Sequence, residues 1–383
     1  MGFERNGAAA ETEAQLWQRY RDEFPVTRNL IYLNHAAVAP LARRTADAMK
    51  QLADDVCDFG SLHYSSWVDA YQAVRCAAAK LIHADPSEIA LVKNTSEGIS
   101  VIANGLDWNA GDVVVAFREE FPANSLPWKR LEREGVEIRW LSVADSLDRI
   151  DEAVRGARLL AISFVQYLSG FRANLQAIGE ICQRRGCFFF VDAIQGLGAF
   201  PLDVDLCHID ALAADGHKWL LGPEGCGILY VRREWQDRID PLEFGWTNVA
   251  RYNEYGSGNM ELRPNAGRYE CGTLNTAGCF GLRAAIEFAL EVGVERIAAA
   301  VQGLGDRLAA GAMAKGYELL GTRTAESGAG IVSIRREGVA ARQVMGALEE
   351  RKILAAPRMG WVRMSPHFYI SPEEIDQVVE ALP

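Results

Sequence analysis

Two charged residues, Asp192 and Lys218, each follow an apolar segment and could act together on a cofactor. Asp192 ends the very apolar run 187–191, which is typical of a buried parallel strand. Lys218 lies shortly after the mostly apolar stretch 209–214. Ligands of open α/β sheets bind at the carboxyl ends of the strands. A lysine there can form a Schiff base with an aldehyde while a carboxylate keeps a pyridine nitrogen protonated, so the pair indicates pyridoxal phosphate (PLP).

Other predicted strand ends carry groups that suit a flat, phosphorylated cofactor. Residues 94–98 open a helix directly after the predicted strand 89–92, so they form either an anion site or a plain helix cap. Gln195 could donate an amide hydrogen bond to a phenolate oxygen. Phe121 either stacks on an aromatic ring or belongs to the core. Taken alone, Asp192 could equally be a helix N-cap.

Arg363 is the candidate for substrate binding. Its sequence neighbours are largely apolar, so its guanidinium group needs an anionic partner. A substrate carboxylate would match its bidentate geometry, and a structural salt bridge is the alternative.

Composition excludes several classes of protein. The chain has 383 residues, of which 49% are hydrophobic and 24% charged, and its net charge of −11 disfavours nucleic acid as a partner. We see no membrane span and no apolar signal-peptide core, which predicts a cytoplasmic protein. The eight cysteines form no Cys-x-x-Cys motif, so neither a disulfide framework nor a zinc site is expected, and no metal is predicted.

Strand and helix signals alternate along the first two thirds of the chain. This alternation predicts an α/β fold with a mostly parallel sheet covered by helices on both faces. A long loop rich in Gly, Asn, Tyr and Arg follows between about 241 and 278, and its part 244–268 is expected to shape the substrate pocket. We predict three regions: an N-terminal helical segment (1–28) that packs on the small domain, a large cofactor domain (29–280) and a small α+β domain (281–383).

Six motifs together resemble the class V aminotransferase family of fold-type I PLP enzymes, from about residue 31 to the C-terminus. That family includes cysteine desulfurases, selenocysteine lyases, isopenicillin N epimerases and kynureninases. The motifs are Tyr32-Leu33-Asn34-His35-Ala36-Ala37, Asn94-Thr95-Ser96-Glu97, Val191-Asp192-Ala193-Ile194-Gln195, Gly216-His217-Lys218, Gly272-Thr273 and Arg363.

The resemblance implies a role for each matching cofactor residue. Lys218 would be the Schiff-base lysine and proton shuttle, Asp192 would pair with the pyridine nitrogen, and Gln195 would pair with the ring oxygen. The residues expected around the phosphate are Thr95, Ser96 and His217. Phe121 stands where many relatives stack a histidine on the ring.

The resemblance also implies a shared site and a substrate clamp. Gly272 and Thr273 resemble the segment that reaches the phosphate of a neighbouring subunit, which implies a homodimer. Arg363 would bind the α-carboxylate of an amino acid substrate. The residues implied near the substrate pocket are Asn34, His35 and His63.

Two further departures from the family bear on the reaction. Asp215 replaces a serine that often binds the phosphate, so we expect its carboxylate to turn away. Residues 351–361 contain no cysteine, whereas persulfide-forming desulfurases carry one in the loop before the carboxylate-binding arginine. The expected activity is therefore transamination or a cysteine- or selenocysteine-type C–S lyase reaction without a persulfide-forming cysteine. An epimerase like isopenicillin N epimerase, or a non-catalytic regulator with this fold, are the alternatives.

Overall fold

The computed structural model describes residues 13–256, 258 and 260–383, so the first part of the predicted N-terminal helix lies outside the described residues. The strands, in chain order, are β1 (Ile31–Tyr32), β2 (Ile89–Val92), β3 (Val113–Phe117), β4 (Glu137–Leu141), β5 (Leu159–Ser163), β6 (Phe188–Asp192), β7 (Ala211–Asp215), β8 (Gly227–Val231), β9 (Glu318–Leu319), β10 (Val332–Arg335), β11 (Ile353–Leu354), β12 (Ala356–Arg358) and β13 (Trp361–Met364). The helices are α1 (Glu13–Tyr20), α2 (Arg43–Phe59), α3 (Tyr64–Ile82), α4 (Thr95–Gly105), α5 (Leu126–Arg130), α6 (Leu147–Ala153), α7 (Leu175–Arg185), α8 (Thr276–Val292), α9 (Val294–Ala314), α10 (Ala341–Glu350) and α11 (Pro372–Ala381).

A seven-stranded sheet forms the centre of the large domain, in the order β2-β8-β7-β6-β5-β3-β4. The pairs from β7 through β6, β5 and β3 to β4 are parallel, and β8 runs antiparallel to both β7 and β2. All residues of β6 and β7 are buried, as expected for strands covered on both faces. The predicted α/β fold with a mostly parallel sheet is confirmed.

Strand register brings the chemical groups together at the carboxyl edge of this sheet. Ser163 pairs with Asp192, and Asp192 pairs with Ala213, so the ends of β5, β6 and β7 lie side by side. The N-terminus of α4 reaches the same edge because α4 packs very closely on β7. A side chain at Gly98 would lie 2.7 Å from the Ala213 Cβ, so only glycine fits there.

The small domain contains an antiparallel sheet in the order β12-β13-β10-β9. The N-terminal segment contacts the C-terminal residues through aromatic rings: Phe24 stacks on Tyr369 with ring centres 3.7 Å apart, and Tyr20 contacts Phe368 edge-on. That this segment belongs with the small domain stays a prediction. The short parallel pair of β1 with β11 also joins the two ends of the chain.

The structure differs from the predicted elements in the linker between the domains. The stretch 282–310 has a strongly helical pattern, and the structure divides it into two helices: Gly293, with φ of +90°, ends α8, and α9 begins at the next residue. The boundary predicted at 280/281 falls inside α8, which packs against α2 and α3 of the large domain. We therefore propose that the small domain begins at Gly293. No helix among the described residues is long and apolar enough to cross a membrane.

Candidate active site

A cavity of about 320 Å³ opens at the carboxyl edge of the sheet, and most of the predicted cofactor residues line it. The residues on its wall that had been predicted are Thr95, Ser96, Phe121, Asp192, Gln195, Asp215, His217, Lys218 and Arg363. They come from the ends of β6 and β7, the start of α4, the segment after β3, and β13 of the small domain.

Asp192 and Lys218 face each other across this cavity without forming a salt bridge among the described residues. Burial raises the pKa of Asp192 to about 6, although a hydrogen bond from the Ile194 N–H (3.1 Å) and the charge of Lys218 oppose that rise. Burial lowers the pKa of Lys218 to about 8, although the charge of Asp192 opposes that fall. A buried carboxylate with one hydrogen bond suits a cationic ring nitrogen, and an easily deprotonated amine suits attack on an aldehyde.

The start of α4 provides donors for an anion. Asn94 caps the helix by accepting a hydrogen bond from the Glu97 N–H, and the first N–H groups of a helix have no partner within it. The Thr95 hydroxyl accepts a hydrogen bond from the Asp215 N–H at 3.0 Å, which ties the helix start to the end of β7.

Asp215 stays in the cavity wall, but its carboxylate is occupied. One oxygen accepts a hydrogen bond from the Gly216 N–H at 2.7 Å, and the other lies 3.0 Å from Nδ1 of His217. No hydrogen bond of good geometry to Nδ1 is formed in the part of the chain that the structure describes, so the imidazole of His217 remains available to an anion.

Gln195 and Phe121, which line the same cavity as Asp192, could each contact a flat ring. The Gln195 amide donates to the Ala36 carbonyl (2.9 Å) and accepts from the Trp219 indole N–H (2.8 Å), which leaves one amide hydrogen available. Phe121 is 47% exposed, and its ring centre lies 5.8 Å from Nζ of Lys218. An aromatic ring so exposed over a cavity suits stacking on a ligand better than a role in the core.

Arg363 is buried and has no ion-pair partner among the described residues. One terminal nitrogen donates to the Tyr167 carbonyl at 2.8 Å, and Nε lacks a hydrogen-bond partner in the part of the chain that the structure describes. Burial lowers its pKa to about 10. The structural salt bridge considered as an alternative is therefore not formed, and the guanidinium is available to an anion in the cavity.

Sequence analysis missed three residues of the cavity wall, Ser163, Tyr167 and Arg358, and the buried Glu120 that contacts Ser163. Glu120 is buried, accepts a 2.6 Å hydrogen bond from the Ser163 N–H and contacts the Ser163 hydroxyl. Burial, aided by the charge of Asp192, raises the pKa of Glu120 to about 7. Its position after β3, beside Phe121, was the available signal.

Three residues implied near the substrate lie outside this cavity. His35 is fully buried and structural: Nδ1 donates to the Ser365 carbonyl (2.7 Å) and Nε2 accepts from the Tyr369 hydroxyl (2.6 Å), which contradicts a direct role in the pocket. Asn34 pairs with Ser365 through its backbone. His63 lies on the surface against Asp55 at 2.7 Å, so contact with substrate stays a prediction for it and for Asn34.

Gly272, Thr273 and the long loop also lie apart from the cavity within one chain. None of the described residues of 244–268 lines it, so the prediction that this loop shapes the pocket is wrong for a single subunit. The loop instead contacts the segment that contains Gly272 and Thr273. The Thr247 hydroxyl donates to the Glu270 carbonyl at 2.5 Å and lies 3.5 Å from the Gly272 carbonyl. Thr273 is exposed.

Comparison with known proteins identifies the family of this chain. The family model for aminotransferase class-V matches residues 31–378. A probable cysteine desulfurase of Pyrococcus abyssi is 30% identical, covering 94% of this chain and 96% of the relative. An uncharacterized aminotransferase of Bacillus subtilis, YcbU, is 29% identical, covering 95% of this chain and 97% of the relative. The apo structure of cysteine desulfurase from Thermococcus onnurineus superposes with a TM-score of 0.87 at 27% identity, over 95% of this chain and 96% of that one.

These matches agree with the cavity chemistry, because the lysine, the buried carboxylate, the helix N-terminus and the free arginine each have a place around PLP. The family predicted from the six motifs is confirmed. The chain belongs to the class V aminotransferase family of PLP-dependent enzymes.

Proposed function

We propose that this protein uses PLP in the cavity to act on an amino acid, either by transamination or by cleaving a bond to the β-substituent, as in a C–S lyase. The observation that carries the proposal is the convergence of Lys218, Asp192 and Arg363 on one cavity. PLP, when bound, withdraws electrons from the α-carbon of the attached substrate.

The side chains of this chain divide the remaining work. The start of α4 and His217 would hold the phosphate, and Asp192 would hold the ring nitrogen. Arg363 would orient the substrate carboxylate. Lys218, whose lowered pKa makes the free amine accessible near neutral pH, would take the α-proton and return it.

The proposed reaction needs no cysteine of the protein. No cysteine is among the described residues that line the cavity, and residues 351–361 contain none. Sulfur or selenium cleaved from a substrate would therefore leave the cavity in a small molecule. This separates the proposal from the persulfide-forming desulfurases.

Epimerisation is the weaker candidate because it needs a second base on the face opposite Lys218. Asp215 and His217 pair with each other, and Glu120 is bonded to Ser163. A non-catalytic role is weaker still, because it would give no reason for an unpaired Arg363 in the cavity.

A visible spectrum recorded during addition of single amino acids tests the proposal. Conversion of the PLP band to the pyridoxamine form would indicate transamination. A persistent band with accumulation of pyruvate and sulfide would indicate lyase chemistry. A protein that gains no visible band on addition of PLP would refute the proposal.

Arg363→Ala should raise KM for amino acids by about 10- to 100-fold, because it removes charge-assisted hydrogen bonds to the carboxylate. Arg363→Lys is the matched control: it keeps the charge without the bidentate geometry and should recover part of the loss. Steady-state kinetics measures both variants. An unchanged KM in Arg363→Ala would mean that the carboxylate binds elsewhere.

We further propose a homodimer in which Gly272 and Thr273 reach the phosphate of the neighbouring subunit. The segment is exposed but firmly anchored, because the adjacent Glu270 is buried, pairs with Arg75 at 2.6 Å and accepts a hydrogen bond from the Leu91 N–H. A fixed, exposed segment away from its own cavity is suited to complete the site of a partner.

Mixing two inactive variants tests this shared site. Lys218→Ala removes the lysine, and Thr273→Asp places a carboxylate against the phosphate of the partner. In a mixed dimer one of the two sites is intact, so random reassociation should restore about a quarter of wild-type activity. If mass spectrometry shows mixed dimers but no activity returns, Thr273 acts on the site of its own subunit and the proposal of a shared site is wrong.

A further inference from the structure

A tight hairpin holds a second guanidinium group at the cavity. Strands β12 and β13 are joined by Met359 and Gly360, both with positive φ (+49° and +83°), as in a two-residue type I′ turn. The residue before the turn is Arg358, and its side chain lines the cavity together with Arg363.

Strand register places both arginines on one face of the hairpin. Arg358 pairs with Trp361, and Ala356 pairs with Arg363. Paired residues in an antiparallel ladder share a face, and so do residues two apart on a strand. Arg358 and Arg363 therefore point to the same side, towards the cavity.

Two arginines, Arg358 and Arg363, line the cavity, whereas a single substrate carboxylate would need only one of them. Arg358 donates to the Pro357 carbonyl at 2.9 Å and forms no ion pair within the described part of the chain. Together with burial, its charge lowers the pKa of Arg363 and that of Lys218, as expected for cations that line the same cavity. Of the carboxylates on the wall, Asp215 accepts a hydrogen bond from the Gly216 N–H and lies 3.0 Å from His217, and Asp192 is the residue proposed to hold the ring nitrogen.

A substrate with one carboxylate would pair with Arg363 and leave Arg358 without an anion. Building on the proposed function, we propose that Arg358 binds a second acidic group, so that the preferred substrates are amino acids with an anionic side chain. The phosphate has its own donors at the start of α4, which leaves Arg358 for the distal end of the substrate.

Binding of unreactive acids to the PLP-loaded protein tests the inference without turnover. Glutarate and pentanoate have the same chain length but carry two carboxylates and one. Calorimetry at constant ionic strength should show that wild type binds glutarate at least about 10-fold more tightly than pentanoate. Arg358→Gln should remove this preference and change the Kd for pentanoate by less than about twofold. Arg342→Gln, which removes an exposed arginine of α10 outside the cavity, is the matched control.

Three results would overturn the inference. Equal weakening of both acids in Arg358→Gln would make Arg358 part of the α-carboxylate clamp. Loss of PLP affinity would make it a phosphate ligand. Unchanged binding of glutarate would make it a solvated surface group. Failure of the proposed function is distinguishable, because it would appear in wild type as absence of the PLP band.

Discussion

Lys218→Ala is expected to lose the visible absorbance band of lysine-bound PLP and to lower kcat by about 10³-fold or more. The change removes both the amine that attaches the cofactor and the base that moves the α-proton, and general acid–base catalysis alone contributes about 10²- to 10⁴-fold. The variant should fold normally, because Lys218 forms no salt bridge among the described residues. Absorbance and single-turnover kinetics measure the two losses separately.

The lowered pKa of Lys218 adds a pH dependence to this prediction. Attachment of PLP to the wild-type apoprotein requires the neutral amine, so its rate should rise as pH increases through about 8. Lys80→Ala, at an exposed position in the last turn of α3, is the control and should keep the wild-type band and profile. Turnover retained in Lys218→Ala would show that another group acts as the base.

Residue patterns predicted the fold well where burial determines structure. The predicted strand 89–92 coincides with β2, and the apolar run 187–191 lies within one residue of β6 at each end. The break between α8 and α9 escaped prediction because one glycine in a strongly apolar helical stretch is usually tolerated. Here the left-handed conformation of Gly293 turns the chain into the small domain.

The site was predictable where a functional group follows a strand, and much less so where it arises from tertiary contacts. Asp192, Lys218 and the start of α4 lie at strand ends, whose common location follows from the parallel sheet. Arg358 has no such signal, because its place at the cavity depends on the register of a hairpin. Glu120 follows β3, but its sequence does not show the contact with Ser163. His35 resembled a pocket residue in sequence, but only the fold shows both its ring nitrogens occupied.

Asp192→Asn is expected to lower kcat by at least about 10²-fold while leaving the fold intact. The amide can still accept the hydrogen bond from the Ile194 N–H, but it lacks the negative charge that would keep the ring nitrogen protonated. Loss of that preorganised charge weakens electron withdrawal from the substrate. Kinetics of α-proton exchange in deuterated solvent would measure this step directly, and an exchange rate equal to wild type would refute the role of Asp192.

The same substitution should stabilise the apoprotein, because it removes a buried carboxylate whose ionisation is unfavourable. The folded-state pKa of Asp192, about 6, is higher than its ordinary value of 3.8, so ionisation of this carboxyl disfavours the folded state above pH 6. The Tm of Asp192→Asn should therefore exceed that of wild type by the largest amount above pH 6. The difference should vanish as pH falls towards 4, where wild-type Asp192 becomes protonated in the folded and the unfolded protein.

Asp210→Asn is the matched control. Burial also raises the pKa of Asp210 to about 6, but its carboxylate accepts hydrogen bonds from the Phe189 N–H and the Trp235 indole N–H, outside the cavity. That control should alter Tm and leave kcat within about twofold of wild type, because Asp210 does not line the cavity.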